Sequence, residues 1–285
     1  MRAEPTTDIL LMTAFPAPDA GAAGGNPAGV VLDATGLDDA GMLAIAAEVG
    51  FSETAFITGR DGDGYVVRYF TPEAEIPFCG HATVATAIAL AERDGPGTLR
   101  MLTPAGAILL ETATTSDGMT ATFTSVEPAV HDLPDEILDR TLELLGLDRV
   151  DLDSRYPVAL AFAGNTHPVL TVRERATFDA VRFDPRAARE LMDEQGWGGT
   201  IALLHALAED EFEARNIFPV GDILEDPATG SAAAAVGAWL RERGPRPVPT
   251  TVVIHQGRHV GRPSRLDVTI PATGGIAVTG TATRI

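Results

Sequence analysis

The sequence contains no lysine: all 21 of its basic residues are arginine, set against 40 aspartates and glutamates for a formal net charge of −19. So acidic a surface repels nucleic acid and anionic membranes, and neither is expected as a partner. Cysteine occurs once, at Cys79, which excludes an internal disulfide and fits a reducing, cytoplasmic setting. No apolar run approaches the roughly eighteen residues of a membrane-spanning helix. The opening "MRAEPTTDILLMTAFPAPDA" places acid and proline where a secretory signal needs a basic patch and a long apolar stretch. What is present is a chain of 285 residues, 45% hydrophobic, long enough for one large domain or two ordinary ones. Its 29 glycines and 20 prolines predict many turns and short strands.

The chain repeats itself. "VRYFTPEAEIPFCGHATVATAIAL" matches "ARNIFPVGDILEDPATGSAAAAVGAWL", with Arg68 on Arg215, Pro72 on Pro219 and Cys79 on Asp226 at an offset of 147. Upstream, Asp38 meets Asp184, Gly50 meets Gly196 and Thr54 meets Thr200 at 146, and Asn26 meets Asn165 at 139. Several matches in one order with a nearly constant offset predict two halves on one plan.

Each half reads as a strand with a Gly-Asn turn, then an amphipathic helix capped by Asp38 or Asp184, with apolar faces Leu43, Ala46, Ala47, Val49 and Ala188, Leu191, Met192. Strands over 54–58 and 66–70, or 200–205 and 212–218, precede a turn and a second helix near 82–92 or 230–242. That second helix is apolar on every face, as a buried helix is, and its small side chains suit a sheet curled around it. Alternating stretches such as "TATFTSV" and "LDVTI" read as antiparallel strands. The expected fold is α+β: two pseudo-symmetric lobes, each a curled, mostly antiparallel sheet around a central helix. Residues 1–127 form one lobe and 128–274 the other, with a linker near 125–136. The last strand, 275–285, is a candidate to return to the first lobe.

Both buried helices begin beside unusual residues: Cys79-Gly80-His81 in one half, Asp226 to Ser231 in the other. A helix start offers unpaired N–H groups and partial positive charge, so a matched pair facing one cleft would cradle a small anionic carboxylate. Gly80 and Gly230 would let it approach the backbone, and Thr83 and Ser231 could donate hydroxyl bonds. Plain capping is the competing explanation for such residues. The halves differ at Ser52-Glu53, which stand where the second has Gly198-Gly199. Among poorly solvating neighbours, burial would raise the pKa of Glu53 toward neutrality and suit it to take and return a proton. His81 could orient a substrate or relay a proton, Asp226 could fix that imidazole or bind the substrate, and Cys79 at a helix start is placed for a lowered thiol pKa. No metal set is expected, since His205, His255 and His259 lack ligand spacing. "GRDGDG" and "HQGRHVGRPS" read as hairpin turns, and the glycines near 21–25 do not form a dinucleotide fingerprint.

Together "GNPAGVVLD", "FSETAF", "VRYFTPEAEIPFCGHATVATAIAL", "EDPATGSAAAAVGAWL" and "QGRHVGRPSRL" resemble the PhzF family of phenazine-biosynthesis-like isomerases, which is related to the diaminopimelate epimerases. The resemblance spans nearly the whole chain. It implies two similar lobes, a reaction without cofactor, and a homodimer. It makes Glu53 the general acid/base with His81 and Asp226 as catalytic partners, and places Asn26, Ser52, Gly80, Gly230 and Ser231 around the substrate. In the phenazine enzyme that substrate is trans-2,3-dihydro-3-hydroxyanthranilate. Cys79 departs from the small apolar residue that enzyme carries and resembles the first catalytic cysteine of the epimerases. Three readings follow: a proton-moving isomerase, an amino- or hydroxy-acid epimerase or racemase using Glu53 and Cys79, and a non-catalytic ligand-binding protein.

Overall fold

The computed structural model of the protein describes residues 8–116, 118–220 and 223–285. Two compact units emerge: one runs to Phe123 and includes Gly280–Ile285, the other is Thr124–Thr279. The expected linker is partly structured. It contains a short strand, and a helix begins at its end.

In the first unit, β1 (Leu10–Ala14) pairs antiparallel with β2 (Asn26–Val31), and β2 runs parallel to β3 (Glu53–Asp61) across α1 (Asp39–Val49). β3 turns back into β4 (Gly64–Phe70) at the Gly62-Asp63 hairpin, the "GRDGDG" turn. β4 bonds the two-residue β5 (Glu75–Ile76) and, after α2 (Gly80–Asp94), lies parallel to β6 (Thr98–Thr103). β7 (Gly106–Thr115) and β8 (Gly118–Thr124) continue antiparallel. The last strand of the chain, β17 (Ala277–Arg284), pairs with both β1 and β8, so eight strands close into a barrel. Closure removes the open edges that would otherwise invite aggregation.

The second unit repeats the pairing order. After β9 (Ala129–His131) and α3 (Asp135–Leu145), β10 (Ala159–Phe162) pairs antiparallel with β11 (Thr166–Thr171) and also with β9. Past α4 (Arg175–Ala180) and α5 (Pro185–Gln195), β12 (Ile201–Ala206) lies parallel to β11 and antiparallel to β13 (Glu211–Val220). β13 bonds β14 (Ile223–Asp226) and, after α6 (Gly230–Arg243), runs parallel to β15 (Thr250–Gln256). β16 (Ser264–Ile270) and the first residues of β17 complete the sheet. "HQGRHVGRPS" is the β15–β16 hairpin, closed by the Gln256–Ser264 pair.

The matched helix signals work as local chemistry requires. Asp38 accepts the Gly41 N–H at 2.8 Å, Asp184 accepts the Arg186 N–H at 2.9 Å, and Gly50 and Gly196 end α1 and α5 in the left-handed region, where only glycine fits without strain. α5 buries Ala188, Leu191 and Met192 as expected. α1 departs from expectation: Met42 and Ala46 are buried while Ala47 is exposed, because the core against α1 is the Val31–Phe56–Phe70 cluster, which meets the Met42 side of the helix.

The central helices are buried as their composition demands. α2 is buried from His81 through Ala91 and packs on β1, β2, β3 and β7. α6 is buried over Ala232–Leu240 and packs on β9, β10, β11 and β16. Each buried Val, Ile or Leu contributes about 1.5–3 kcal/mol. The small residues matter as much as the large ones. A Cβ on Gly237 would sit 2.6 Å from Ile276 Cγ2 and 2.9 Å from Val268 Cγ1, so Gly237→Ala would force helix and sheet apart. No helix among the described residues is long and apolar enough to cross a membrane.

Candidate active site

The first unit assembles its cluster from three strand and helix starts. Asn26 opens β2, Glu53 opens β3, and Cys79 sits at the N-cap of α2, with Gly80 and His81 in the first turn. The Asn26 amide donates to His81 Nδ1 at 3.1 Å. An amide nitrogen can only donate, so Nδ1 is the bare nitrogen and Nε2 carries the proton. Nε2 lies 3.3 Å from Glu53 Oε2 without a hydrogen bond between them. Glu53 Oε2 has no solvent access and no geometrically sound hydrogen bond, an unusual condition for a carboxyl oxygen. Its side chain as a whole is only 16% exposed. Cys79 Sγ lies 3.4 Å from His81 Nδ1 and 3.7 Å from Nε2, alongside the ring.

Of the residues expected here, Asn26, Glu53, Cys79 and His81 come together, and Ser52 lies half-buried beside Glu53. A Cβ on Gly80 would touch only the Phe78 ring at 3.9 Å, so packing does not demand glycine there and the helix start is open. Thr83 does not join them. Its fully buried hydroxyl donates to the Cys79 carbonyl at 2.6 Å and meets Tyr69 OH at 2.6 Å. Burial pushes the Tyr69 phenol up, keeping it a donor, so Thr83 has no proton left for a ligand. It braces the start of α2 instead.

The second unit builds a different polar cluster at the start of α6. Asp226 ends β14, and its Oδ2 accepts the Thr229 hydroxyl at 2.5 Å. Gln256, from the β15–β16 hairpin, binds both faces of this turn. Its Nε2 donates to the Asp226 carbonyl at 2.6 Å and to Thr229 Oγ1 at 2.9 Å, and its Oε1 accepts the Thr229 N–H at 3.1 Å. Ser231, in the first turn of α6, lies 3.2 Å from His167 Nε2. His167 is fully buried on β11, its Nδ1 2.9 Å from the Thr200 N–H, and desolvation pulls its pKa down to about 4. Sequence reasoning used the strand around His167 only to establish the repeat, and it read Gln256 as part of a plain hairpin. The position of Gln256, immediately before Gly257-Arg258 in a turn, was the available signal.

Among the described residues, two groups have the donors to hold a metal ion. The ligand atoms of Glu53, Cys79 and His81 lie within 4.8 Å of one another, as do those of Asp179, Glu213 and His259. In the second group the carboxylates are already met by cations: Glu213 by Arg175 at 2.8 Å and Arg258 at 2.5 Å, and Asp179 by Arg258. That group is an ion-pair network. The first group has thiol, imidazole and carboxyl side by side, a donor set that also suits proton transfer.

The chain is similar to known proteins over most of its length. The family model for phenazine biosynthesis-like proteins, PhzC-PhzF, matches residues 17–285. The uncharacterized isomerase YddE of Escherichia coli K12 is 32% identical over 252 residues, covering 86% of this chain and 85% of that protein. The trans-2,3-dihydro-3-hydroxyanthranilate isomerase of Pseudomonas fluorescens is 32% identical over 245 residues, covering 84% and 83%. A solved Bacillus anthracis protein of the PhzF family superposes with a TM-score of 0.83 at 25% identity over 98% of this chain and 97% of that one. A hydroxyproline epimerase from Agrobacterium vitis shares the fold alone, with a TM-score of 0.63 at 12% identity, covering 100% and 92%.

Proposed function

The chain belongs to the PhzC-PhzF family and is an isomerase of the PhzF-like kind, and from that premise we propose that it moves a proton within a small carboxylate-bearing molecule, with Glu53 as both base and acid. What carries the reading is the Glu53 carboxyl: nearly enclosed, with one oxygen that has no hydrogen-bond partner and lies 3.3 Å from the His81 ring. As carboxylate, Glu53 takes a proton from a carbon next to an unsaturated or carboxyl-bearing carbon, and the C–H electron pair enters the substrate's π system. As carboxylic acid, it returns the proton to another carbon of that system, and a double bond shifts. Nothing is oxidised or reduced and no co-reactant is consumed. His81, 3.3 Å from Glu53, is close enough to stabilise charge that forms there, and Asn26 fixes its ring through Nδ1. Ser52 and Gly80 contact the substrate in this reading. In the second unit, Asp226 and, at the start of α6, Gly230 and Ser231 are the groups proposed to meet a substrate, the latter two through its carboxylate.

The spacing of Glu53 and Cys79 weighs against the epimerase reading. A two-base epimerase needs acid and base on opposite faces of one carbon, each about 3–3.5 Å away, hence about 6–7 Å apart. The Cys79 sulfur and a Glu53 oxygen lie within 4.8 Å of each other. Cys79→Ser should therefore keep most activity.

The test is solvent-deuterium incorporation across a panel of small unsaturated carboxylic acids that includes trans-2,3-dihydro-3-hydroxyanthranilate. Glu53→Gln should lower exchange by about 10²–10⁴-fold, the usual worth of a positioned acid/base. Exchange that survives Glu53→Gln undiminished would sink the proposal, and wild-type protein that binds members of the panel but exchanges none of them would favour a ligand-binding protein. The reading includes a cytoplasmic homodimer, for which sedimentation gives the mass.

A further inference from the structure

We propose that His167 is a positioning residue: as the Nε2–H tautomer it donates to Ser231 Oγ and so frees the Ser231 hydroxyl proton for the substrate. The inference rests on the reading above that Ser231 meets the substrate. The argument is one of hydrogen-bond inventory. The Thr200 amide points its N–H at His167 Nδ1 from 2.9 Å, and a backbone N–H can only donate. The Thr200 carbonyl also lies near, 3.0 Å from Nδ1, but a protonated Nδ1 would set two N–H groups against each other. Nδ1 is therefore the acceptor, and the Thr200 hydroxyl at 3.1 Å does not change that, because it is turned to Asn216 Oδ1 at 2.7 Å.

With Nδ1 bare, a neutral ring carries its proton on Nε2, 3.2 Å from Ser231 Oγ. Full burial keeps the ring neutral, since desolvation disfavours the imidazolium. A serine hydroxyl has one proton and two lone pairs. Once it accepts from Nε2–H, its own proton must be given elsewhere, and Ser231 is half-buried at the end of a helix that points N–H groups the same way. A serine left to rotate could present either a lone pair or a proton. Fixed by His167, it presents a proton.

Two substitutions separate the bonds His167 makes. In His167→Asn the side-chain oxygen can take the place of Nδ1 and keep the Thr200 bond, but nothing reaches Ser231. In His167→Gln the amide nitrogen can take the place of Nε2 and keep the Ser231 bond. Long-range ¹H–¹⁵N spectra of the histidine-labelled protein should show His167 as the neutral Nε2–H form at pH 7. Calorimetry with anthranilate as probe should show His167→Asn and Ser231→Ala each weakening binding about tenfold, the worth of one hydrogen bond to a charged group. His167→Gln should bind within about threefold of wild type, and His167→Asn should cost nothing more on a Ser231→Ala background. Emission from Trp197 and Trp239, both in the same unit, checks that the variants are folded. An Nδ1–H or imidazolium spectrum overturns the proposal. So does an undiminished His167→Asn loss in the double variant, which would mean that the histidine acts through packing. Wild-type protein with the Nε2–H spectrum but no affinity for anthranilate overturns the carboxylate reading, and with it the purpose of the contact.

Discussion

The two units use one strand order and fill it in opposite ways. Aligning Asn26 with Asn165 sets Ala28 against His167, and aligning Thr54 with Thr200 sets Glu53 against Gly199. In the first unit the small residue is on β2 and the acid at the start of β3. In the second the large residue is on β11, and the chain before β12 is bare. The exchange is forced by space. A Cβ on Gly199 would fall 2.4 Å from His167 Cε1 and 2.6 Å from the Thr166 carbonyl, so histidine and glutamate cannot both be present there. The consequence for polar satisfaction is uneven. Thr200, His167, Ser231 and Asn216 bond one another in the second unit. In the first, Glu53 Oε2 and Thr54 Oγ1 are both buried without a hydrogen bond. At these matched positions it is the unit with the acid that leaves its buried polar groups without partners.

The matched arginines differ in the same direction and give the largest expected effect. Arg215 is 4% exposed and binds Glu225, itself 9% exposed, at 2.6 Å, while a second nitrogen donates to the Phe178 carbonyl. Arg68 makes the equivalent bond to Glu75 at 2.6 Å but is 25% exposed and shares its charge with the exposed Asp39. Arg215→Ala leaves a buried carboxylate without its cation and should cost about 3–5 kcal/mol in urea unfolding followed by tryptophan emission. Arg68→Ala should cost at most about 1 kcal/mol. Equal losses would mean that the difference in burial has no energetic weight.

Next in size is a pH effect confined to the second unit. Burial pulls the folded-state pKa of His167 down to about 4, below the ordinary histidine value of about 6.5, so the unfolded chain binds the proton more tightly. Stability is then full above about pH 6.5 and falls as the pH drops from there to about 4, by about 1.4 kcal/mol per pH unit and about 3 kcal/mol in all. His167→Asn removes the titration. The stability difference between wild type and this variant should therefore shift against wild type over that window and be flat above it. Parallel pH profiles would place the imidazole in contact with water.

Much of this comparison could be read in the sequence, because repeated local signals survive substitution. Asp38 and Asp184 cap, Gly50 and Gly196 terminate, and the all-apolar helices could only be buried. The polar asymmetry at Glu53 was equally visible. What composition did not reveal was which hydroxyls are already used. Thr83 and Ser231 look alike as small polar residues at helix starts, yet one is locked between Tyr69 and a carbonyl and the other faces an imidazole. Those partners lie 14 and 64 residues away in sequence, beyond any local pattern. α3 begins at the end of the expected linker at 125–136, and the helical spacing of Leu138, Leu142 and Leu145 was its signal. Gln256 was missed because its hairpin explained itself without any reference to α6.

The smallest effects come from the threonines, and here the comparison predicts a change of sign. Thr200→Val removes the donor to Asn216 Oδ1, a buried oxygen, and should destabilise by about 1–3 kcal/mol. Thr54 occupies the matching place with nothing to bond. Its counterpart of Asn216 is Tyr69, which is turned to Thr83, and Ala28 stands where the histidine would be. Valine has nearly the shape of threonine without the hydroxyl, so Thr54→Val relieves a desolvated group and should stabilise by about 1 kcal/mol. Activity decides what the orphan hydroxyl is for. If Thr54→Val raises the unfolding midpoint and leaves exchange intact, the hydroxyl is a remnant of the duplicated plan. If it raises the midpoint and slows exchange, the hydroxyl beside Glu53 is held unpaired for the substrate, as the carboxyl is.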